Sequence, residues 1–515
     1  MNKPLCISWT PSWVNQEKLQ QYVFKRAEST TDWSHGEQSW YCMRPQPDSW
    51  GEIVAGLREA AAIIRQMPIS DIIDAIDAVA QLWCDRDWPT RIATREQIIR
   101  TTGFSREVVD QSFDVELKNY RADSLWRVLR RELGNPKVLD GFCGDADLDG
   151  YTFGIGPSIT LAIFTGNVPG LPALSIVRAL LVKSAVIAKV ASGEPTFGAR
   201  FVQSIFDVEP RLGNAIFVTY WERNDEEKLS SVIAHADAVI AYGSVQACKA
   251  IRRSLRDDQI YVEHGHKTSM GLLSRQYLYQ HDYFDIAQRI AIDVSVFNQH
   301  ACIAPQIYFI EADFDTARTL GSMIAKAMDS HNTKYPLGQL SDRAAATLQM
   351  QRIVSHWHGA GKEQYEQWQC THLDWTVILD TELRHEGSSG NRYIKLIAVS
   401  SVESALGMMS TYTSYLQNIA LGVISDELPS IARKVALLGA SRICEPGHMS
   451  DPTMMWRHDG HMCIADMLRW CDIENYGDLV APSVNPEDGT LTEILSSPLA
   501  IPAANNSFLQ EIFAN

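Results

Sequence analysis

Basic residues are in deficit. Against 62 Asp and Glu the chain of 515 residues carries only 46 Lys and Arg, for a formal net charge of −16. A surface of that sign repels phosphate backbones, which are bound by clustered cations, so nucleic acid is not an expected partner. A long unbroken apolar run is also missing. The greasiest stretch, Ile159 to Ala191, is broken by Gly166, Asn167, Pro169 and Pro172 and carries Arg178, Lys183 and Lys189. A bilayer core tolerates those charges poorly, so no membrane span is expected. No Cys-x-x-Cys pair occurs among ten cysteines scattered from Cys6 to Cys471, which fits reduced thiols in the cytoplasm better than a disulfide framework or a zinc knot. Met1 to Thr10 lacks a charged segment followed by an apolar one, so a secretory signal is not expected either. Internal repeats are absent.

What is present is an ordinary globular composition, 45% hydrophobic and 21% charged, in a chain long enough for two or three cores. Residues 1–150 are weakly patterned. Apolar positions in Trp50 to Trp83 and Asp110 to Leu133 recur at helical spacing, so this region is expected to be mostly helical, with its tryptophans serving as core. From Tyr151 strand and helix alternate, the sign of a mostly parallel, doubly wound sheet. Five strands are read, Ile159 to Phe164, Val186 to Val190, Ala215 to Trp221, Ala238 to Tyr242 and Ile260 to Glu263, with helices such as Leu171 to Lys183 and Glu227 to Ala236 between them. A nucleotide would sit at the carboxyl ends of those strands. After Gly271 a long helix runs toward Asn298, followed by a loop with Cys302, a strand Gln306 to Glu311 and a helix Phe314 to Asp329, a second α/β unit. Gly359 to Asn391, with Glu386, Gly387, Ser388, Ser389 and Gly390, reads as the most loop-like interior stretch.

Five short segments carry chemistry by position. Cys302, in Phe297-Asn298-Gln299-His300-Ala301-Cys302, follows a helix and precedes a buried strand, where a stabilised thiolate could accept an acyl group. Glu263, in Tyr261-Val262-Glu263-His264-Gly265-His266-Lys267, ends a strand, where a carboxylate could act as a general base. Thr165-Gly166-Asn167 forms a turn whose Asn167 amide could donate to a developing oxyanion. Lys189 and Ser192 end the second strand, placed for a ribose and its 2′-phosphate. Gly243 and Ser244 form a glycine turn and helix start that let backbone amides approach a pyrophosphate. Each segment alone is common, and a cysteine, asparagine or histidine of this kind usually serves only packing or a turn.

Their order is informative. An Asn turn, K-x-x-S, a Gly-Ser helix start, E-x-G-x-K and Q-x-x-C, spanning about Gly154 to Glu311, resemble the aldehyde dehydrogenase superfamily. TGNVPG, FNQHACIAPQ, Trp456-Arg457-His458-Asp459-Gly460 and Leu468-Arg469-Trp470 resemble, more narrowly, the luminescence-type acyl-CoA reductases of bacteria, the LuxC family. That resemblance implies an α/β aldehyde dehydrogenase-like fold with a Rossmann-type NADP-binding domain at 151–270 and an α/β catalytic domain at 271–482. The helical region 1–150 would pack on the cofactor domain, and 483–515 would be a C-terminal segment available for oligomerisation.

It also implies Cys302 as nucleophile, Asn167 as oxyanion donor and Glu263 as base. Thr165, Gly166, Lys189, Ser192, Gly243, Ser244 and Gly265 would be cofactor contacts, with no metal. A serine at 192, where NAD-preferring dehydrogenases often have glutamate, points to NADPH. The implied reaction is reduction of an acyl-CoA or acyl-carrier-protein thioester to an aldehyde through acyl-Cys302, with an acyl-activating ligase as partner and a homo-oligomeric state. One departure is the lack of an E-x-F segment near Gly390-Asn391-Arg392-Tyr393.

Three other readings compete. An NAD(P)-dependent aldehyde dehydrogenase running toward the acid would use the same residues, with Glu263 activating water. A metal protein would use His264 and His266 with Cys302, or His356 and His358, but neither pair has a third ligand nearby in sequence. A scaffold without activity is disfavoured by the presence of nucleophile, base and oxyanion residue together. Asp145-Ala146-Asp147-Leu148-Asp149-Gly150 begins like a calcium loop, but Gly156 stands where the bidentate glutamate belongs, so it reads as an acidic turn.

Overall fold

The computed structural model describes residues 4–25, 39–384 and 388–475. Residues 483–515, expected to serve oligomerisation, and the loop residues Glu386 and Gly387 lie outside them. The amino-terminal region contains strands as well as helices. β1 (Leu5–Cys6) pairs in parallel with β3 (Ser39–Pro45), which pairs antiparallel with β2 (Leu19–Lys25). In β3 only Trp40, Cys42 and Pro45 are buried. That short period-two signal in a polar setting is too weak to outweigh the helical pattern that follows it.

The helices are α1 (Trp50–Arg65), α2 (Ile69–Cys84), α3 (Pro89–Thr102), α4 (Arg106–Leu117) and α5 (Ala122–Leu133). Both long periodic runs are thus divided, the first before Pro68 and the second by a 3-10 turn at Lys118–Tyr120. Trp83 is fully buried at their centre, with ring centroids of Phe113 and Phe197 at 5.5 and 5.1 Å and its indole N–H donated to Ser204 Oγ at 2.8 Å. The buried Arg91 guanidinium donates to the Trp83 carbonyl at 2.7 Å and to Asp114 at 2.7 Å. These bonds fix α2, α3 and α4 to one another, and α4 ends beside the functional cavity.

β4 (Cys143–Asp145) and β5 (Gly150–Ile155) form a hairpin closed by the acidic turn, where Asp145 Oδ1 accepts from Asp147 N at 3.0 Å. The five parallel strands then follow as β6 (Ile159–Ile163), β7 (Ala185–Lys189), β8 (Ile216–Thr219), β9 (Ala238–Tyr242) and β10 (Ile260–His264). Their order is β10-β9-β6-β7-β8, so the direction of winding reverses between β6 and β9. A crevice forms at such a switch point, outside the carboxyl ends of the two strands. β6 and β8 are buried throughout, as expected for parallel strands covered on both faces.

The second sheet has seven strands in the order β13-β14-β15-β12-β11-β16-β17. They are β11 (Thr268–Leu273), β12 (Pro305–Glu311), β13 (Tyr365–Gln369), β14 (Thr376–Asp380), β15 (Tyr393–Val399), β16 (Leu416–Gly422) and β17 (Arg442–Cys444). All pairings are parallel except β13 with β14. The stretch Gly359 to Asn391 is therefore not a loop. β13 is an edge strand of sequence Tyr-Glu-Gln-Trp-Gln without a buried residue, and edge strands need no apolar run. β18 (Arg469–Ile473) returns to pair antiparallel with β5.

None of the described helices is long and apolar enough to cross a membrane. Close packing leaves β11 no room for a side chain at Gly271, where a Cβ would lie 2.0 Å from the buried Tyr308 ring. Gly271→Ala is expected to lower stability by about 3 kcal/mol, read as a reduced midpoint in chemical unfolding. An unchanged midpoint would mean that β11 and β12 pack more loosely than described.

Candidate active site

The segment that presents Cys302 is a backbone anomaly. Phe297, Asn298 and Gln299 all have positive φ, at 54°, 51° and 63°. Non-glycine residues rarely adopt this left-handed region, at a cost of order 1 kcal/mol or more each. A second such turn faces it, with Asn391 at φ 56° and Arg392 at φ 60°. The two interlock through side chains. Arg392 Nη2 donates to Asn298 Oδ1 at 2.8 Å, Gln299 Nε2 donates to the Tyr393 carbonyl at 2.8 Å, and Tyr393 N donates to Gln299 Oε1 at 2.7 Å. His300 Nε2 lies 2.9 Å from Asn391 Oδ1. Ser269 Oγ donates to the Cys302 carbonyl at 2.7 Å and Asn418 Nδ2 to the Ile303 carbonyl at 3.1 Å.

The Cys302 thiol opens into a cavity of about 560 Å³ that also reaches Thr165, Asn167, Gly243, Ser244 and Gly265. The structure thus brings the nucleophile together with most of the switch-point residues. Asn167 Nδ2 donates to the His300 carbonyl at 2.6 Å, tying the turn after β6 to the Cys302 segment. Ser244 caps the helix Val245–Ser254, accepting from Ala247 N, and Arg223 Nη2 donates to its hydroxyl at 3.0 Å. Gly166 is a cradle without room for a Cβ, which would lie 2.6 Å from Glu194 N. Free amides at a helix start, small residues and a nearby guanidinium fit a pyrophosphate. Lys189 and Ser192 follow at the end of β7, outside the Cys302 cavity. Lys189 lies over Tyr220 and Trp221 at 5.4 and 5.5 Å, and burial lowers its pKa to about 8. Ser192 is exposed.

Glu263 is not brought to Cys302. It does not line the cavity, and its carboxylate pairs with Arg252 Nη2 at 2.7 Å on the outer face of β10. Strand alternation instead turns the next residue, His264, inward. His264 Nδ1 lies 2.8 Å from Asp459 Oδ2, and its Nε2 is 3.4 Å from Arg178 Nη1. Its ring stacks on that of His458 at 4.0 Å, and His458 stacks in turn on Trp456 at 4.4 Å. Among the described residues, His264, His458 and Asp459 are the one group of three whose ligand atoms lie within 4.8 Å of each other. The metal sets considered from sequence are not formed: His266 is exposed beside Tyr415, and His356 and His358 sit on the helix Asp342–Gly359.

Burial pushes the Cys302 thiol up to about 12, and the Asp459 charge adds to this; a hydrogen bond from Gln417 pulls the other way. Gln417 Nε2 also donates to Asp459 Oδ1 at 2.6 Å, so it joins the thiol to the carboxylate. Glu116, at the end of α4, is a second cavity carboxyl, raised by burial to about 7. Glu116, Arg178, Gln417, His458 and Asp459 were not assigned roles from sequence. Only the Trp456–Gly460 motif signalled any of them, while Glu116 and Gln417 had no signal at all.

The comparisons with known proteins follow this geometry. The family model described as Acyl-CoA reductase (LuxC) matches residues 64–470. The chain belongs to the LuxC family. A long-chain acyl-protein thioester reductase of Photorhabdus luminescens is 23% identical over 429 residues, covering 82% of this chain and 85% of its own length. One from Aliivibrio fischeri is 26% identical over 288 residues, covering 54% and 58%. Among solved structures, aldehyde dehydrogenase 21 from Physcomitrella patens, in complex with succinate, has a TM-score of 0.70 at 12% identity, covering 92% of this chain and 100% of its own. Aldehyde dehydrogenase C of Pseudomonas syringae, a C291A mutant with NAD+ and octanal, has a TM-score of 0.68 at 13% identity, covering 91% and 96%. This LuxC-family chain therefore has the aldehyde dehydrogenase fold.

Because Glu263 faces Arg252 at a partly exposed site, its removal should matter little to the thiol. In Glu263→Gln the rate of Cys302 alkylation by iodoacetamide, followed by peptide mass, is expected to change by less than about fivefold. A much larger fall would mean that the carboxylate swings into the cavity.

Proposed function

We propose that this LuxC-family chain reduces an acyl thioester, on CoA or an acyl-carrier protein, to an aldehyde through acyl-Cys302, with NADPH as reductant. The observation that carries the reading is the single cavity in which the Cys302 thiol meets the β6–β9 switch point. An acyl group on Cys302 would lie between that crevice and the apolar lining supplied by Leu171, Leu174, Tyr120 and Trp456. When bound at the crevice, the nicotinamide cofactor supplies the hydride. Asn167, whose amide nitrogen has a second hydrogen to donate, and the Cys302 backbone N–H are the candidates for stabilising the oxyanion.

NADPH rather than NADH is supported by the repulsion of Lys189, at the end of β7, by Arg44 and Arg223, which acts alongside attraction from the Glu222 carboxylate. A 2′-phosphate would offset that repulsion. The orientation of Glu263 away from Cys302 counts against Glu263 as the base that the oxidising alternative would use to activate water on the acyl-enzyme. All ten cysteines are unpaired, which supports a reducing compartment such as the cytoplasm. Delivery of the acyl group by an acyl-activating ligase and assembly into a homo-oligomer complete the proposal.

Intact mass after mixing with a panel of acyl-CoAs is expected to show an acyl adduct on the wild type and none on Cys302→Ala. The adduct should be discharged to aldehyde at least tenfold faster by NADPH than by NADH, a difference of about 1.4 kcal/mol. An adduct that persists in Cys302→Ala would sink the assignment of the nucleophile, and acid in place of aldehyde would favour the oxidising enzyme.

A further inference from the structure

The inward turn of His264 leaves the cavity without its expected carboxylate base and with a stacked pair of imidazoles instead. The rings are Trp456, His458, His264 and Tyr242, with centroids 4.4, 4.0 and 4.5 Å apart in succession. Within this stack the two histidines differ. Both nitrogens of His264 are engaged, Nδ1 by Asp459 and Nε2 by Arg178. Both nitrogens of His458 are buried and have no hydrogen-bond partner, although the ring lines the cavity that holds Cys302. A buried imidazole with no partner is costly and needs a reason.

The groups around it explain why it is unprotonated at rest. Asp459, in the left-handed region at φ 57°, points back beneath the stack, and its Oδ2 is 3.8 Å from His458 Nε2 but 2.8 Å from His264 Nδ1. The carboxylate is therefore spent on His264 and Gln417 rather than on His458. Positive charge faces the ring from other elements, Arg178 on the helix Pro172–Leu181 and Lys267 after β10. Burial, the neighbouring His264 and these cations outweigh the pull of Asp459 and keep the His458 imidazole neutral well below its ordinary pKa. The same cations make the triad a poor place for a metal ion.

We propose that His458 is the proton-transfer residue of the acyl-Cys302 cycle, with Asp459, Gln417 and His264 as its positioning residues. In the acylation step the Cys302 S–H proton passes to a His458 nitrogen as the sulfur bonds to the acyl carbon. The bond from that carbon to the donor sulfur breaks with its electron pair, and the departing thiolate takes the proton from the His458 imidazolium. No electrons leave or enter the set. His300, the histidine nearest in sequence to Cys302, is held by Asn391. Glu116, raised by burial to about 7, is another cavity group that could exchange a proton near neutral pH.

The acylation part of this inference rests on the acyl-Cys302 reading, so the test also uses a probe that does not. Iodoacetamide alkylation of Cys302, followed by peptide mass, is measured from pH 6 to 9 on wild type, His458→Asn and Glu116→Gln. A thiol pushed up to about 12 and working alone would label tenfold faster per pH unit across that whole range. With a neutral His458 as acceptor, the wild-type rate is expected to be nearly flat from pH 7 to 9. The His458→Asn rate should fall about 100-fold at pH 7, regain the tenfold slope, and be restored at least tenfold by added imidazole. Acyl-CoA labelling of Cys302 should follow the same pattern. A tenfold slope in the wild type, no rescue by imidazole, or a larger loss in Glu116→Gln than in His458→Asn would each overturn the proposal. Failure of wild-type Cys302 to take an acyl group, with the iodoacetamide pattern as expected, would instead sink the acyl-enzyme reading and leave His458 as the base of the thiol.

Discussion

Everything chemical in this molecule depends on two left-handed turns that hold each other in place. Residues 297–299 and 391–392 are each unfavourable alone, and five non-glycine residues at positive φ represent several kcal/mol of local strain. The strain persists because Asn298, Gln299 and Arg392 are buried and bonded across the gap, and relaxing either turn would strand their amide and guanidinium groups in the core. The arrangement gives the Cys302 backbone a fixed position relative to the turn after β6, whose Asn167 Nδ2 donates to the His300 carbonyl. The candidate nucleophile and oxyanion donor are thereby placed by the frame and not by flexible side chains.

The second constraint is electrostatic. The cavity gathers Glu116, Arg178, His264, His458 and Asp459, all of them buried or nearly so, where unpaired charge is expensive. The cost is distributed unequally. Asp459 keeps its charge because His264 and Gln417 donate to it, Glu116 has no such donors and is raised to about 7, and His264 and His458 stay neutral. The cavity thus holds a neutral thiol together with two neutral imidazoles.

Much of this was legible in the sequence because the parallel sheet writes itself as apolar runs. The strands Ile159–Ile163, Ala185–Lys189 and Ala238–Tyr242 fall within a residue or two of their expected bounds. The order of short motifs also pointed to the family. Illegible features had specific causes. β3 offered only a short period-two signal, and β13 is an edge strand of polar residues without a buried one. The Glu263 side was misjudged because a strand's phase decides which of two neighbours faces inward, and the motif contains a polar residue at both positions. Glu116 and Gln417 are brought to the site purely by tertiary packing, and no local pattern marks them.

The wall that carries His458 and Asp459 is tied down by partners from far earlier in the chain. Glu132, on α5, accepts hydrogen bonds from the backbone nitrogens of Cys463, Ile464 and Ala465, at a sequence separation of 331 to 333 residues, and β18 closes on β5 just beyond. A nascent chain emerging from the ribosome therefore buries the Rossmann-type sheet and the Cys302 loop long before the last wall can dock. Closing that long loop is entropically slow, and the thiol stands open to solvent until it happens. The cysteine therefore comes under the control of its pocket only after residues 456–473 have been made and docked.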